Sequence, residues 1–255
     1  MKIDLNADLG EGFGAWTMGE DEALMSIISS ANVACGFHAG DPLIMDRTTR
    51  LALAKGIDLG GHVGYPDLLG FGRRPMQIDT YELQTYVVYQ LGALAGMAQV
   101  AGHRLTHMSF HGALGNRVAA DAELAMALLG AVKAFDPALI VSSSTSVAME
   151  RAAEHHGLRI ASTFLADRAY DKHGLLVPRA LPDSVIKAPE RVRERVRQFL
   201  DHGTVTCYSG EVIPVPACSI LLHGDNANAL ELARSIRAEI EQGGGQIVPI
   251  SRLVG

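Results

Sequence analysis

The chain has 255 residues, of which 48% are hydrophobic and 20% charged, as expected for a globular protein with a sizeable core. Its formal net charge of -6 argues against nucleic acid and anionic membranes as main partners, because an acidic surface repels both. The three cysteines show no CxxC spacing, no apolar run reaches the roughly 18 residues of a membrane span, and the start does not resemble a signal peptide. We therefore expect a cytoplasmic protein.

Short β-like runs alternate with amphipathic stretches along the whole chain. In chain order the pattern predicts strand 2–8, helix 20–29, strand 31–36, helix 42–55, strand 57–62, helix 79–101, strand 104–111, helix 120–135, strand 139–143, helix 146–156, strands 159–165 and 175–179, helix 189–202, a hairpin of strands 204–208 and 212–216, strand 220–223, helix 227–242 and strand 246–250. Such alternation implies a mainly parallel sheet covered by helices. Seven or eight such units in this length favour one (β/α) barrel domain over residues 1–255 rather than an open sheet.

Polar side chains stand where the predicted strands end. Asp8 ends the first strand, His38 follows the second, and His62, His111 and His223 end later ones. In a barrel all these ends meet on one face, which is where active sites form. Four histidines at four separate strand ends predict a shared site there.

Histidines and carboxylates together suit two chemistries, divalent metal binding and proton transfer near neutral pH, and their spacing leaves both open. The candidate metal ligands are Asp8, His38, His62 and His111. No HExxH stretch is present, which excludes a zincin-type site, and the serines at 142–144 lack a G-x-S-x-G elbow, which argues against a serine hydrolase.

Two glycine-rich stretches flank the predicted site. Residues 10–14 match neither a dinucleotide fingerprint nor a phosphate-binding P-loop; they form either a flexible turn or a loop that closes on substrate with Glu11. Residues 70–75 carry Arg73 and Arg74, which either bind a carboxylate or phosphate or are solvated surface arginines.

Several irregular segments resemble the LamB/YcsF family: in order, residues 4–14, 30–42, 64–67, 70–74, 111–114, 166–170 and 223–225. The resemblance covers nearly the whole chain. It implies an irregular TIM-like barrel similar to the glycoside hydrolase/deacetylase superfamily. It also implies a subunit that, with 5-oxoprolinase subunits B and C, opens the lactam ring of 5-oxoproline (pyroglutamate) to L-glutamate, with ATP and Mg²⁺ as cosubstrate.

Position along the chain, supported by the resemblance, gives the candidate site residues. The catalytic candidates are Asp8, Glu11, His38, His62 and His111. The candidates for binding substrate or phosphate are Asn6, Asp41, Arg73, Arg74, Asn116, Asp167, Arg168, His223 and Asp225.

The chain departs from the family pattern at Val63, Ser109, Gly115 and Thr163, where the family commonly has proline, lysine, tyrosine and an acidic residue. Loss of the lysine removes a cation that could hold a phosphate or a developing oxyanion, so another lactam or amide substrate is one interpretation. Two alternatives stay open: a stand-alone metal-dependent deacetylase or amidohydrolase, and a non-catalytic lactam-binding subunit. Because no nucleotide motif is present, ATP would bind either a non-standard surface of this chain or a partner.

Overall fold

The computed structural model of the chain describes residues 1–225 and 228–254. In chain order the elements are β1 (Lys2–Leu9), α1 (Asp21–Leu24), β2 (Ser30–Ala34), α2 (Pro42–Lys55), β3 (Asp58–Val63), α3 (Thr80–Ala101), β4 (Leu105–Phe110), α4 (Gly112–Ala120), α5 (Ala122–Phe135), β5 (Ile140–Ser144), α6 (Val147–His156), β6 (Arg159–Leu165), α7 (Pro189–His202), β7 (Thr204–Thr206), β8 (Val212–Pro214), β9 (Ser219–His223), α8 (Ala229–Gln242) and β10 (Gln246–Ile247). A short 3-10 helix, Ile250–Arg252, follows.

Seven parallel strands close into a barrel, in the order β1-β2-β3-β4-β5-β6-β9, with β9 paired back to β1. β10 adds a short parallel pairing to the start of β1, and β7 with β8 forms the antiparallel hairpin that the sequence predicted. Helices surround the barrel, and α3 packs on α2 and α5. The predicted (β/α) barrel is confirmed.

The first strand shows why the barrel forms. Its residues alternate between the two faces, so Leu5 and Ala7 enter the apolar layer under the helices, while Asp4, Asn6 and Asp8 form hydrogen bonds inside the barrel. A period of two is the signature of a strand with different environments on its two faces. The main hydrophobic core therefore lies outside the barrel, and the barrel interior is polar.

The polar side chains inside the barrel form hydrogen bonds with one another. Asp4 accepts from the hydroxyls of Ser29, Ser30 and Ser219 at 2.6–2.7 Å. One layer higher, the Asn32 amide donates to Asn6 Oδ1 at 3.1 Å and to Asp8 Oδ1 at 2.9 Å. Buried polar groups are tolerated when they are paired in this way. The layers connect the base of the barrel to Asp8 at its mouth.

Several predicted boundaries were wrong, and local contacts explain them. The predicted helix 20–29 stops at Leu24, because the Ser29 amide donates to the Leu5 carbonyl at 2.8 Å and draws the chain into the sheet. The predicted helix 120–135 is two helices, since Asp121 is extended and caps α5 by accepting from the Leu124 amide. Helix α4, Gly112–Ala120, was not predicted.

The late part of the chain also differs. Residues 175–179 do not form a strand: Leu176 makes one isolated bridge to Tyr170, and the Val177 carbonyl accepts from the Arg168 guanidinium instead of a neighbouring strand. Strand 246–250 shortens to Gln246–Ile247. The predicted helix 227–242 begins at a residue outside the described part, and its described portion starts at Ala229. Among the described residues, no helix combines the length and apolarity needed to cross a membrane.

Gly60 is a sensitive point of this packing. A Cβ at Gly60 would lie 2.2 Å from Nε2 of the buried His107, so Gly60→Ala is expected to lower the free energy of unfolding by about 1–3 kcal/mol. The matched control is Gly96→Ala on the exposed side of α3, where an added Cβ meets nothing within 4 Å. This change should raise the free energy of unfolding by about 0.5–1 kcal/mol through helix propensity. Urea unfolding of both variants checks the contrast, and equal effects would contradict the packing described.

Candidate active site

The strand register brings the predicted strand-end residues to one end of the barrel. Asp8 on β1 is opposite His223 on β9, and His62 on β3 is opposite Ser109 on β4. His111 directly follows β4 and is the N-cap residue of α4. Parallel strands align their carboxyl ends, so these side chains meet although they are far apart in the chain.

Four buried side chains form a cluster at this end: Glu11, His38, His62 and His111. One ligand atom from each can be chosen so that all four atoms lie within 4.8 Å of one another. His62 Nε2 is 3.0 Å from His111 Nδ1, and Glu11 Oε1 is 3.5 Å from His38 Nε2 and 3.7 Å from His111 Nδ1. The rings of His38 and His111 are stacked with centroids 3.8 Å apart. Asp8, a predicted metal ligand, lies beside this group, with Oδ2 3.5 Å from His62 Nε2.

Within the described chain, three atoms of this cluster are buried without a hydrogen-bond partner: Glu11 Oε1 and both ring nitrogens of His38. An unpaired buried polar atom costs free energy comparable to a lost hydrogen bond. Three such atoms in one cluster therefore indicate a binding site for an ion or ligand.

The hydrogen bonds of His111 orient its ring. Its Nε2 lies 2.8 Å from the Phe71 carbonyl oxygen, which only accepts, so Nε2 carries the proton and Nδ1 presents a lone pair toward His62. His62 Nδ1 is 2.7 Å from the Ser109 hydroxyl, which accepts or donates. Two arrangements are then open for the facing pair of nitrogens. Either His62 Nε2 donates to His111 Nδ1, or both of these nitrogens present lone pairs to a shared cation.

Burial dominates the electrostatics of the cluster. It lowers the pKa of His62 to about 3, aided by the charges of His223 and His107, and it lowers the pKa values of His38 and His111 well below the usual histidine range. Burial also raises the pKa of Glu11, and the nearby Asp8 carboxylate raises it further. The imidazoles are therefore neutral, which is the form that accepts protons or binds metals.

Asp8 and His223 differ from the cluster. Burial raises the pKa of Asp8 to about 6, against the opposing effects of His223 and the Asn32 hydrogen bond. His223 Nδ1 is 2.8 Å from Asp167 Oδ1. Burial disfavours the charged imidazole, but Asp167 and then Asp8 outweigh it and raise the pKa of His223. The two groups pair a carboxylate of raised pKa with a histidine that favours its protonated form.

The loop at 70–75 covers the cluster. A Cβ at Gly72 would lie 2.7 Å from His38 Cβ, so only glycine lets the backbone pass this closely, and its φ of 62° is also one that glycine favours. The Phe71 ring meets His111 edge-on, with centroids 5.1 Å apart. Arg73 reaches across the mouth and donates to Asp225 Oδ2 at 2.6 Å, which ties this loop to the end of β9.

A cavity of about 580 Å³ opens beside the cluster. Among the predicted residues, it is lined by Asp8, His62, Arg73, His111, Asn116, Arg168 and His223. Asp167 and Asp225 act from behind this lining, through His223 and Arg73. Glu11 and His38 are not part of the lining and lie in the cluster next to it.

Three further predicted binding residues lie outside the cavity lining. Asn6 lies in the layer below Asp8 and donates to Asp4 and Ser219. Asp41 is the N-cap of α2, and its carboxylate accepts from the amides at 14, 43 and 44. Arg74 is exposed and paired with Asp67. These side chains have structural partners, which is why the structure places them away from the lining.

Three of the departures from the family pattern, Ser109, Gly115 and Thr163, line the cavity. Ser109 contacts His62, and the Thr163 hydroxyl is 3.0 Å from the Ser142 hydroxyl. At Gly115 a Cβ would lie 2.6 Å from the Phe110 carbonyl oxygen, so this backbone does not admit a tyrosine without a shift.

Sequence reasoning missed three residues of the site. Asn32 and His107 position Asp8 from inside the barrel, since His107 Nε2 is 3.0 Å from Asn32 Oδ1. Arg179 lines the cavity. It ends the stretch 175–179, so the rule that strand ends carry site residues would have selected it.

The chain is similar throughout its length to known proteins. It is 68% identical over 255 residues to 5-oxoprolinase A-subunit 1 of Pseudomonas syringae pv. tomato, covering 100% of both chains. It is 60% identical to 5-oxoprolinase A-subunit 2 of Ralstonia nicotianae, covering 100% of this chain and 98% of the relative. Its fold matches the crystal structure of the lactam utilization protein from Thermus thermophilus with a TM-score of 0.91 and 40% identity, over 98% of this chain and 100% of the other. Residues 3–255 match the sequence profile of the LamB/YcsF family. The chain therefore belongs to the LamB/YcsF family.

Proposed function

We propose that this protein is the lactam-opening subunit of an ATP-dependent 5-oxoprolinase, which converts 5-oxoproline to L-glutamate. The proposal is supported by the names of its relatives, which are 5-oxoprolinase A-subunits in two bacteria and a lactam utilization protein in a third. The observation that carries it is the pairing of Asp8 with His223 in the cavity lining, their Oδ2 and Nε2 atoms 4.0 Å apart. Pairs of titratable groups whose pKa values are tuned by burial and neighbours are typical of acid–base catalysis.

In the proposed reaction, the Asp8 carboxylate accepts a proton from water as the water oxygen adds to the lactam carbonyl carbon. The ring C–N bond then breaks, and protonated His223, held by Asp167, gives its proton to the leaving nitrogen. The products are the new carboxyl and the free amine of glutamate. Positioned acids and bases of this kind contribute about 10²- to 10⁴-fold in rate.

An amide is a poor electrophile, so its hydrolysis needs activation, which ATP and the partner subunits would supply. We propose that, in the assembled complex, ATP transfers its γ-phosphoryl group to the amide oxygen and leaves as ADP. Breaking the C–N bond then gives an acyl phosphate, which a second water converts to the carboxylate and inorganic phosphate. We also propose that a partner subunit holds the nucleotide with its Mg²⁺. The sequence supports this division, because this chain carries no phosphate-binding glycine motif. The isolated chain should then be inactive on 5-oxoproline.

We also propose that the cluster of Glu11, His38, His62 and His111 holds one divalent cation. The unpaired Glu11 Oε1 and His38 nitrogens fit a cation, and the Phe71 carbonyl and Ser109 hydroxyl are the outer partners that orient metal-binding imidazoles. A tetrahedral ion with bonds of about 2.0–2.1 Å separates its ligand atoms by about 3.3–3.4 Å. Three pairs of ligand atoms here are 3.0–3.7 Å apart, and all four atoms lie within 4.8 Å of one another. Three imidazoles and one carboxylate favour a zinc-like ion over Mg²⁺. Such an ion would polarise the lactam carbonyl.

The function is tested by co-expressing the chain with 5-oxoprolinase subunits B and C and measuring glutamate release from 5-oxoproline. We expect glutamate only when all subunits and ATP are present. ATP-independent hydrolysis by the chain alone would favour the stand-alone metal-dependent amidohydrolase instead. Lactam binding without turnover by the complete, ATP-supplied complex would favour the non-catalytic subunit.

A further inference from the structure

Hydrogen bonds fix the backbone of the segment that carries Arg179. The Arg168 guanidinium donates to the Val177 carbonyl at 2.7 Å and to the Ser184 carbonyl at 3.2 Å, so it bridges the two sides of the segment that contains Arg179. The Ser184 hydroxyl donates to the Arg179 carbonyl oxygen at 3.2 Å. The segment after β6 is therefore a loop fixed by hydrogen bonds, and its residues Leu176, Pro178 and Arg179 line the cavity.

The side chain of Arg179 differs from those of the other arginines that line the cavity. Arg73 is paired with Asp225, Arg168 with backbone carbonyls, and Arg117 with the Tyr65 hydroxyl at 3.4 Å. Within residues 1–225 and 228–254, Arg179 has neither a hydrogen bond nor an ion pair from its guanidinium, although it is partly buried. An arginine that presents its donors to a cavity in this way is available for a ligand.

The charges around Arg179 specify the sign of that ligand. Burial lowers the pKa of Arg179, and the nearby positive charge of Arg73 lowers it further, against the opposing effects of Asp225, Asp167 and Asp8. Those carboxylates already have partners: Asp225 pairs with Arg73, Asp167 with His223, and Asp8 with Asn32. An oxyanion between the two guanidiniums would relieve their repulsion and satisfy the free donors of Arg179.

We infer that Arg179 is the principal anion-binding residue of the cavity and that, with Arg73 beside it, it takes a carboxylate or phosphate oxyanion carried by the substrate. The inference rests on the proposed function for the identity of that substrate. Arg179 orients the ligand through its anionic group and leaves the lactam carbonyl to Asp8 and His223, which line the same cavity. Bidentate recognition explains why a planar guanidinium occupies this position.

The test measures binding by the full chain, using calorimetry with 5-oxoproline, inorganic phosphate and 2-pyrrolidinone, the same lactam without its carboxylate. For Arg179→Gln we expect the Kd of the recognised anion to rise about 10- to 100-fold, as for loss of a charged hydrogen bond. The Kd of 2-pyrrolidinone should not change. A rise confined to 5-oxoproline identifies the carboxylate as the bound group, and a rise confined to phosphate identifies the phosphate.

Two further variants complete the test. Arg179→Lys keeps the positive charge but loses the planar guanidinium that makes two parallel hydrogen bonds, so the Kd of the anion should rise by an intermediate amount. This variant carries the test if Arg179→Gln does not fold. Arg151→Gln, at an exposed position on α6, should bind as the wild type does. Unchanged Kd values for both anions in Arg179→Gln, or no anion binding by the wild type, would overturn the inference. Glutamate formation by the wild-type complex judges the proposed function separately, since it can stand when the inference fails.

Discussion

Replacing His38 or His111 with alanine is expected to abolish 5-oxoproline hydrolysis in the assembled, ATP-supplied complex, with kcat falling by about 10²- to 10⁴-fold. Both rings are buried in the cluster beside the cavity and are stacked on each other. Either substitution removes a neutral imidazole that the proposed reaction needs for metal binding or proton transfer. Steady-state glutamate release gives the measurement.

The same variants should remain folded. Within the described chain neither ring nitrogen of His38 has a hydrogen-bond partner to lose, and His111 loses only its hydrogen-bond contacts with His62 and the Phe71 carbonyl. A cooperative thermal transition and an unchanged far-ultraviolet circular dichroism spectrum would show this. The matched control is His155→Ala, on the exposed side of α6, which should turn over like the wild type. Wild-type turnover by both His38→Ala and His111→Ala would refute the site.

The isolated chain is expected to bind one equivalent of Zn²⁺, and Co²⁺ in its place should give visible absorption typical of a four-coordinate site with nitrogen ligands. Glu11→Gln and His38→Ala each remove a ligand and should weaken binding by more than about 100-fold, a larger effect than the loss of an outer partner. Ser109→Ala removes such an outer partner from His62 and should cost about 10-fold. Metal analysis and Co²⁺ titration followed by absorbance measure these effects without reference to turnover.

Metal binding should also raise the thermal midpoint, because the ion binds the folded chain and not the unfolded one. His155→Ala should bind the ion as tightly as the wild type. A purified chain that takes up no stoichiometric ion, or that binds Co²⁺ equally well after loss of Glu11 and His38, would refute the metal site. The proposed acid–base pair of Asp8 and His223 would then carry the reaction.

Much of the candidate site follows from periodicity and position. Alternation of strands and helices places Asp8, His62 and His223 at strand ends, and a parallel barrel brings strand ends together. The same reasoning could not separate Asn6 from Asp8, because alternate residues of one strand share a face and differ only in depth. Depth depends on which layer of the barrel a residue reaches, and Asn6 lies one layer too low.

Loop residues were harder to predict than strand residues. Arg73 and Arg74 are adjacent in one glycine-rich loop, yet Arg73 crosses the mouth to Asp225 while Arg74 points to solvent and pairs with Asp67. Nothing in their order distinguishes the two. Asp41 was predicted to bind substrate or phosphate, and the structure shows its oxygens accepting from three backbone amides instead.

The sequence by itself determined the barrel and the set of strand-end histidines, since strand and helix periods and glycine turns are local properties. Only the tertiary structure decided that Glu11 joins His38, His62 and His111, that Asp8 pairs with His223 instead, and that Arg179 faces the cavity without a partner among the described residues. The physical reason is that pKa values and unpaired donors depend on burial and on neighbours distant in the chain. Those neighbours are set by strand register and loop packing, which no local pattern encodes.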